Sequence, residues 1–207
     1  MPKKKKGSRG TNKKKEVTLI EHPLAKYKLS LLLFDGEFSP SKYHDLAKEI
    51  GMILSVYMTM GIKMEASSKR PVVVAMLRSG LVLAEGFREV NPSARVGHIG
   101  VFKNQNTGDA EVYLASLPDL KRREVMMLDM NITTGTSAIK AIALIKKHQE
   151  DCGDKRPISF GCVTAKAEGI KNVQDTYPDV SIFLLSKETK EESGKFGYFS
   201  DKVFGLN

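Results

Sequence analysis

Residues 125–137 read Val125-Met-Met-Leu-Asp129-Met-Asn-Ile-Thr-Thr-Gly-Thr-Ser137, and Ser137–His148 behind them has helical spacing. The apolar run has the pattern of a buried strand that ends at Asp129, and Met130–Ser137 is a turn rich in small and hydroxyl-bearing residues. Strand, turn and helix in that order make half of a parallel βαβ unit. The alternation repeats outward. Val72–Leu77 is a strand pattern followed by a helix over Leu81–Val90, stopped at Asn91-Pro92. Val96–Phe102 and Glu111–Leu117 are strand-like on either side of a loop. Ile158–Thr164, a helix over Ala167–Tyr177, and Val180–Leu185 complete the series.

Toward the N-terminus, Val17–Ile20 is β-prone and Leu24–Leu33 helical. Ser39-Pro40 reads as an N-cap with proline at the first helical position. It opens a helix to about Met60, in which Tyr43, Leu46, Ile50, Leu54 and Tyr57 recur at helical spacing. The expected fold is α/β: a mostly parallel sheet with helices on both faces, formed by residues 16–207 as one domain. Residues 1–15, MPKKKKGSRGTNKKK, form a basic tail with no periodic apolar residue, expected to be disordered.

The chain has 207 residues, Lys plus Arg 33 and Asp plus Glu 24, for a net charge of +9. Eight of those nine charges lie in the tail, on Lys3, Lys4, Lys5, Lys6, Arg9, Lys13, Lys14 and Lys15. The body is therefore nearly neutral, and the tail needs its own explanation. A solvated tail, an import signal and a sequence-independent RNA contact all fit such a run. It has no aromatic residue to stack on bases. No stretch approaches the roughly 18 apolar residues of a membrane span. Two cysteines, Cys152 and Cys162, are too few for a disulfide framework, so a cytoplasmic location is expected, with a nuclear one open through the Lys-rich tail. The four histidines show no metal-ligand spacing, and no metal-ligating residue is assigned.

In parallel sheets, ligands sit beyond the carboxyl ends of the strands. There the turn Thr133–Ser137 offers backbone N–H groups, hydroxyls and a helix N-terminus, the makings of a phosphate pocket. A capped helix after a core strand would use the same residues. Asp129 could accept hydrogen bonds from sugar hydroxyls. Arg78, with Ser79 and Gly80 in the turn after Leu77, could reach an anion.

Taken together, Ile20-Glu-His-Pro-Leu24, Met76-Leu-Arg-Ser-Gly80, Pro92-Ser-Ala-Arg-Val-Gly-His-Ile-Gly100, Leu128-Asp-Met-Asn-Ile-Thr-Thr-Gly-Thr-Ser-Ala138, Glu168-Gly169 and Asp201-Lys-Val-Phe-Gly205 resemble uracil phosphoribosyltransferases over about residues 17–207. The resemblance implies a type I phosphoribosyltransferase fold. It implies uracil and 5-phosphoribosyl-1-pyrophosphate (PRPP) as substrates, UMP and pyrophosphate as products, a role in pyrimidine salvage, and Mg²⁺ arriving with PRPP. By position, Thr133, Thr134, Gly135, Thr136 and Ser137 would hold the 5′-phosphate and Asp129 the ribose hydroxyls. Arg78, Gly80 and Lys103 would line the pyrophosphate, with Asp129 and Arg78 as the catalytic pair. Gly197, Tyr198 and Asp201 would form the base site.

The chain also departs from the family's pattern. Lys103 stands where an Arg is usual and Ser116 where a Lys often precedes Leu-Pro, both expected to touch the site. The family's base loop reads Pro-Gly-Leu-Gly-Asp-Ala-Gly-Asp, against Gly194-Lys-Phe-Gly-Tyr-Phe-Ser-Asp201 here, with Tyr198 in place of the first Asp. Two readings follow: an active transferase with an altered base loop, or a member that has lost catalysis and serves as an RNA- or ribosome-associated binding protein through its tail. Tyr57 and Met60 are candidates for a homodimer face.

Overall fold

The computed structural model describes residues 15–33, 38–62, 70–104, 109–188 and 199–205. Seven strands, β1 (Val17–Leu19), β2 (Val72–Leu77), β3 (Arg95–Lys103), β4 (Ala110–Ser116), β5 (Val125–Ile132), β6 (Ile158–Ala165) and β7 (Ser181–Lys187), form one sheet in the order β1-β7-β6-β5-β2-β3-β4. All neighbours are parallel except β3 and β4, which pair antiparallel at one edge. That antiparallel pair is the one interruption of a mostly parallel sheet, where two strands are joined by a loop instead of a helix. A loop of six residues can join antiparallel neighbours but not parallel ones, which need a crossover of a dozen or more.

The helices are α1 (Pro23–Leu33), α2 (Pro40–Thr59), α3 (Gly80–Val90), α4 (Thr136–Asp151), α5 (Ala167–Thr176) and α6 (Phe199–Phe204). They cover both faces, because central parallel strands are apolar on both sides and must be buried twice. On one face α1, α2, α3 and α6 enclose a core with Ala75, Met126 and Leu128 from the sheet. On the other α4 and α5 pack Ile142, Ile145, Ile170 and Val173 over Met127, Phe160 and Cys162. Helix α2 begins as its sequence dictates: the Ser39 hydroxyl accepts from the Lys42 N–H at 3.3 Å, with Pro40 in the first turn. Among the described residues no helix is long and apolar enough to cross a membrane.

Strand β5 corrects the sequence reading. It runs to Ile132 rather than ending at Asp129, because Asn131 and Ile132 continue the ladder opposite Thr164 and Ala165 of β6. Asp129 is thus a strand residue, and the turn begins three residues later than the sequence suggests. Lys15 is tied to the body by its backbone. Its N–H donates to Pro178 O at 2.9 Å, and its carbonyl accepts from Gln174 Nε2 at 2.8 Å. Both partners lie where β7 is entered, so Lys15 sits at the amino edge of the sheet, opposite the edge where Arg78 and Thr133 lie.

Candidate active site

The turn between β5 and α4 has an open helix N-terminus. Gly135 occupies the N-cap at φ 80°, ψ −4°, and no side chain caps α4 there. A left-handed N-cap suits glycine, because a Cβ there meets its own carbonyl. The first amides of an α-helix have no partner inside the helix, so those of α4 remain for a ligand. They border a cavity of about 110 Å³ lined by Asp129, Asn131 and the run Ile132–Ala138. The Thr134 and Thr136 hydroxyls meet across it at 3.0 Å.

Helix α5 braces this turn from behind. Asn172 Nδ2 donates to Thr134 O at 3.0 Å, and the Lys166 N–H donates to Ile132 O at 2.8 Å. Gly169 presses so closely that a Cβ there would stand 2.4 Å from Thr133 O. The sequence motif Glu168-Gly169 therefore has a physical reason: only a residue without a side chain lets α5 support the turn at this distance.

Asp129 projects from β5 beside the cavity. Its Oδ1 accepts two hydrogen bonds, from Ser79 Oγ at 2.6 Å and from the Met130 N–H at 2.8 Å. Oδ2 has no donor among the described residues and is left for a ligand. The residue is half-buried, yet its carboxyl is packed closely enough that burial raises its pKa to about 6, against the opposing pull of those two hydrogen bonds. It is mainly ionised at neutral pH.

The turn after β2 completes the edge. Gly80 opens α3 with its backbone against the Leu128 carbonyl, next to Asp129. Arg78 extends outward and donates from Nη2 to Asp201 Oδ1 of α6 at 3.4 Å. The fold therefore gathers Arg78, Gly80, Asp129, Thr133–Ser137 and Asp201 at one edge. Asp201 was expected in a loop, but it lies inside α6 and meets Arg78. Lys103 ends β3, opposite Ala110, and its side chain is outside the described part, as are Gly197 and Tyr198. The tail cations Lys3, Lys4, Lys5, Lys6, Arg9, Lys13 and Lys14 are outside it too. Ser116 does not touch this site. It pairs with His98 on the edge strand β4, three strands from β5, because β4 runs back along β3 away from the ligand edge.

Two contributors were missed from sequence. In the sequence Ser79 shows only as a small turn residue, yet its hydroxyl anchors Asp129 fifty positions away. Asn131 carries no motif signal and lines the cavity. The usable signal was period 2 along β5, which puts Asn131 on the same face as Asp129 once the strand is extended.

A family model for uracil phosphoribosyltransferase matches residues 56–205. A uracil phosphoribosyltransferase from Streptococcus salivarius is 31% identical over 208 residues, covering 90% of this chain and 97% of that protein. A protein of solved structure from Aquifex aeolicus superposes with a TM-score of 0.82 at 25% identity, over 93% of this chain and 99% of its own. At the level of fold alone, a hypoxanthine-guanine phosphoribosyltransferase from Bacillus anthracis aligns with a TM-score of 0.51 at 12% identity, over 70% and 79% of the two chains. With a mostly parallel sheet covered on both faces, an anion-ready turn at its carboxyl edge and these relatives across nearly its whole length, the chain belongs to the uracil phosphoribosyltransferase family.

Proposed function

We propose that this protein transfers the phosphoribosyl group of PRPP to uracil, forming UMP and pyrophosphate. The observation that carries the reading is the pairing of an uncapped helix N-terminus with a carboxylate oxygen left without a protein donor, both on one cavity. A sugar phosphate offers the matching groups: an oxyanion for the amides and hydroxyls to bind.

In this reading the amides of Gly135–Ser137 and the hydroxyls of Thr133, Thr134, Thr136 and Ser137 hold the 5′-phosphate. Asp129 Oδ2 accepts from the ribose hydroxyls. Arg78 faces the pyrophosphate, with Gly80 keeping its turn tight and Lys103 supplying a second cation from the end of β3. Uracil N1 bonds to the anomeric carbon as the bond from that carbon to the pyrophosphate oxygen breaks. The pyrophosphate takes the electron pair, and the N1 proton passes to water. Positive charge develops on the sugar, and the ionised Asp129 stabilises it. The Asp129 carboxylate and the hydroxyls of the turn are hard oxygen ligands that suit Mg²⁺. When bound, Mg²⁺ supplies charge neutralisation of the leaving pyrophosphate. Base recognition falls to the segment carrying Gly197 and Tyr198.

The test is direct: purified protein, PRPP, Mg²⁺ and labelled uracil. Labelled UMP and a PRPP-dependent rise in Tm are expected. Neither UMP nor stabilisation would overturn the proposal. Stabilisation without UMP would keep the phosphate turn and remove uracil as the acceptor.

A further inference from the structure

Two acids hold the turn between β2 and α3 from different directions. Asp129 of β5 anchors it through Ser79, and Asp201 of α6 takes the Arg78 guanidinium. Arg78 and Asp201 are 123 residues apart, so only the fold brings them together.

Asp201 is held firmly although α6 has only six residues. Its neighbour Val203 is buried at 7% exposure in the core shared by α1, α2 and α3. The Lys202 ammonium lies 5.4 Å over the Tyr43 ring of α2. The Asp201 side chain itself remains 30% exposed and that of Arg78 55%. The contact uses one guanidinium nitrogen, and among the described residues the remaining N–H groups of the fork stay available to an anion.

The geometry points to Asp201 as a positioning residue for Arg78: it fixes the guanidinium beside the pyrophosphate end of the donor rather than recognising the base. This rests on the PRPP reading above. An arginine held at one corner surrenders less rotamer freedom when an anion binds to the others. The opposing effect, repulsion between the Asp201 carboxylate and the incoming anion, is screened at so exposed a pair. Preorganisation outweighs it.

The experiment uses the full chain, with inorganic pyrophosphate as the calorimetric probe and KM values for PRPP and uracil. Asp201→Ala is expected to weaken pyrophosphate binding and raise the PRPP KM, each by up to about fivefold, the upper range for a partly exposed charge pair. The uracil KM stays unchanged. Asp201→Asn recovers part of the loss, because its amide oxygen still accepts from Nη2. In an Arg78→Ala background, Asp201→Ala adds nothing further. That coupling decides the matter even if the alanine variant loses stability. A change confined to the uracil KM, an equal loss without Arg78, or tighter pyrophosphate binding would each overturn the assignment. Pyrophosphate binding with intact coupling but no UMP from the wild type would sink uracil transfer alone. Absence of pyrophosphate binding by the wild type would sink both.

Discussion

Gly169→Ala gives the sharpest perturbation of the phosphate turn, because it touches the ligand site from outside. The added methyl would lie 2.4 Å from Thr133 O and 2.7 Å from Ile132 Cγ2, where ordinary contact begins at 3.4 Å. The first neighbour is backbone and cannot rotate away, so α5 and the turn must separate by about 1 Å. Overpacking of this kind costs about 1–3 kcal/mol, while alanine's helix propensity returns up to about 1 kcal/mol. A net loss of about 1–2 kcal/mol lowers Tm by roughly 2–8 °C in a domain of this size. The functional loss is larger: a reacting group misplaced by about 1 Å can lose on the order of 100-fold in rate. Melting curves with and without PRPP, followed by steady-state kinetics, read both effects. Gly153→Ala is the control. Gly153 has φ 70° but nothing within 4 Å of its Cβ position, so the variant is strained without touching the turn. It should lose about 1 kcal/mol or somewhat more and keep its PRPP response. If Gly169→Ala melts lower yet binds PRPP as the wild type does, the bracing argument is wrong.

Other outcomes follow from the same contacts. The Asp129 carboxyl titrates near 6 in the fold against 3.8 in an exposed chain, so the folded state holds the extra proton between those values. Stability should therefore fall as pH rises from about 4 to about 6 and level off above. The total stays below about 3 kcal/mol because the side chain keeps some solvent, and Asp129→Asn should flatten the curve. Transfer needs the ionised form, so the acid limb of the rate profile should lie near pH 6. Ser79→Ala removes a bond that favours the carboxylate, and should move that limb to higher pH with little change in Tm. Deleting residues 2–15 should leave UMP formation unchanged, since Lys15 lies at the opposite edge of the sheet from the phosphate turn. If that segment contacts RNA, the deletion should also flatten the salt dependence of RNA binding, and an unchanged slope would exclude it.

Much of this architecture is legible in the amino-acid order, and the exceptions have physical causes. The central strands are apolar on both faces, so Val72–Leu77 and Ile158–Thr164 are readable almost to the residue. The direction of β4 is legible too, because its connection to β3 is too short for a parallel crossover. The end of β5 is hidden because Asp129 looks like a strand terminus, whereas ladder pairing with β6 continues past it. Within the site, the phosphate turn is local and could be read from five consecutive residues. The Ser79–Asp129 and Arg78–Asp201 contacts depend on which strands and helices become neighbours, and no local pattern records that.

The central claim is that the start of α4 grips a sugar phosphate, and backbone amide resonances during a titration with PRPP test it most directly. The account predicts large downfield shifts for the N–H groups of Gly135, Thr136 and Ser137, with Gly153 unmoved. Saturable PRPP binding that leaves those three amides in place would contradict it.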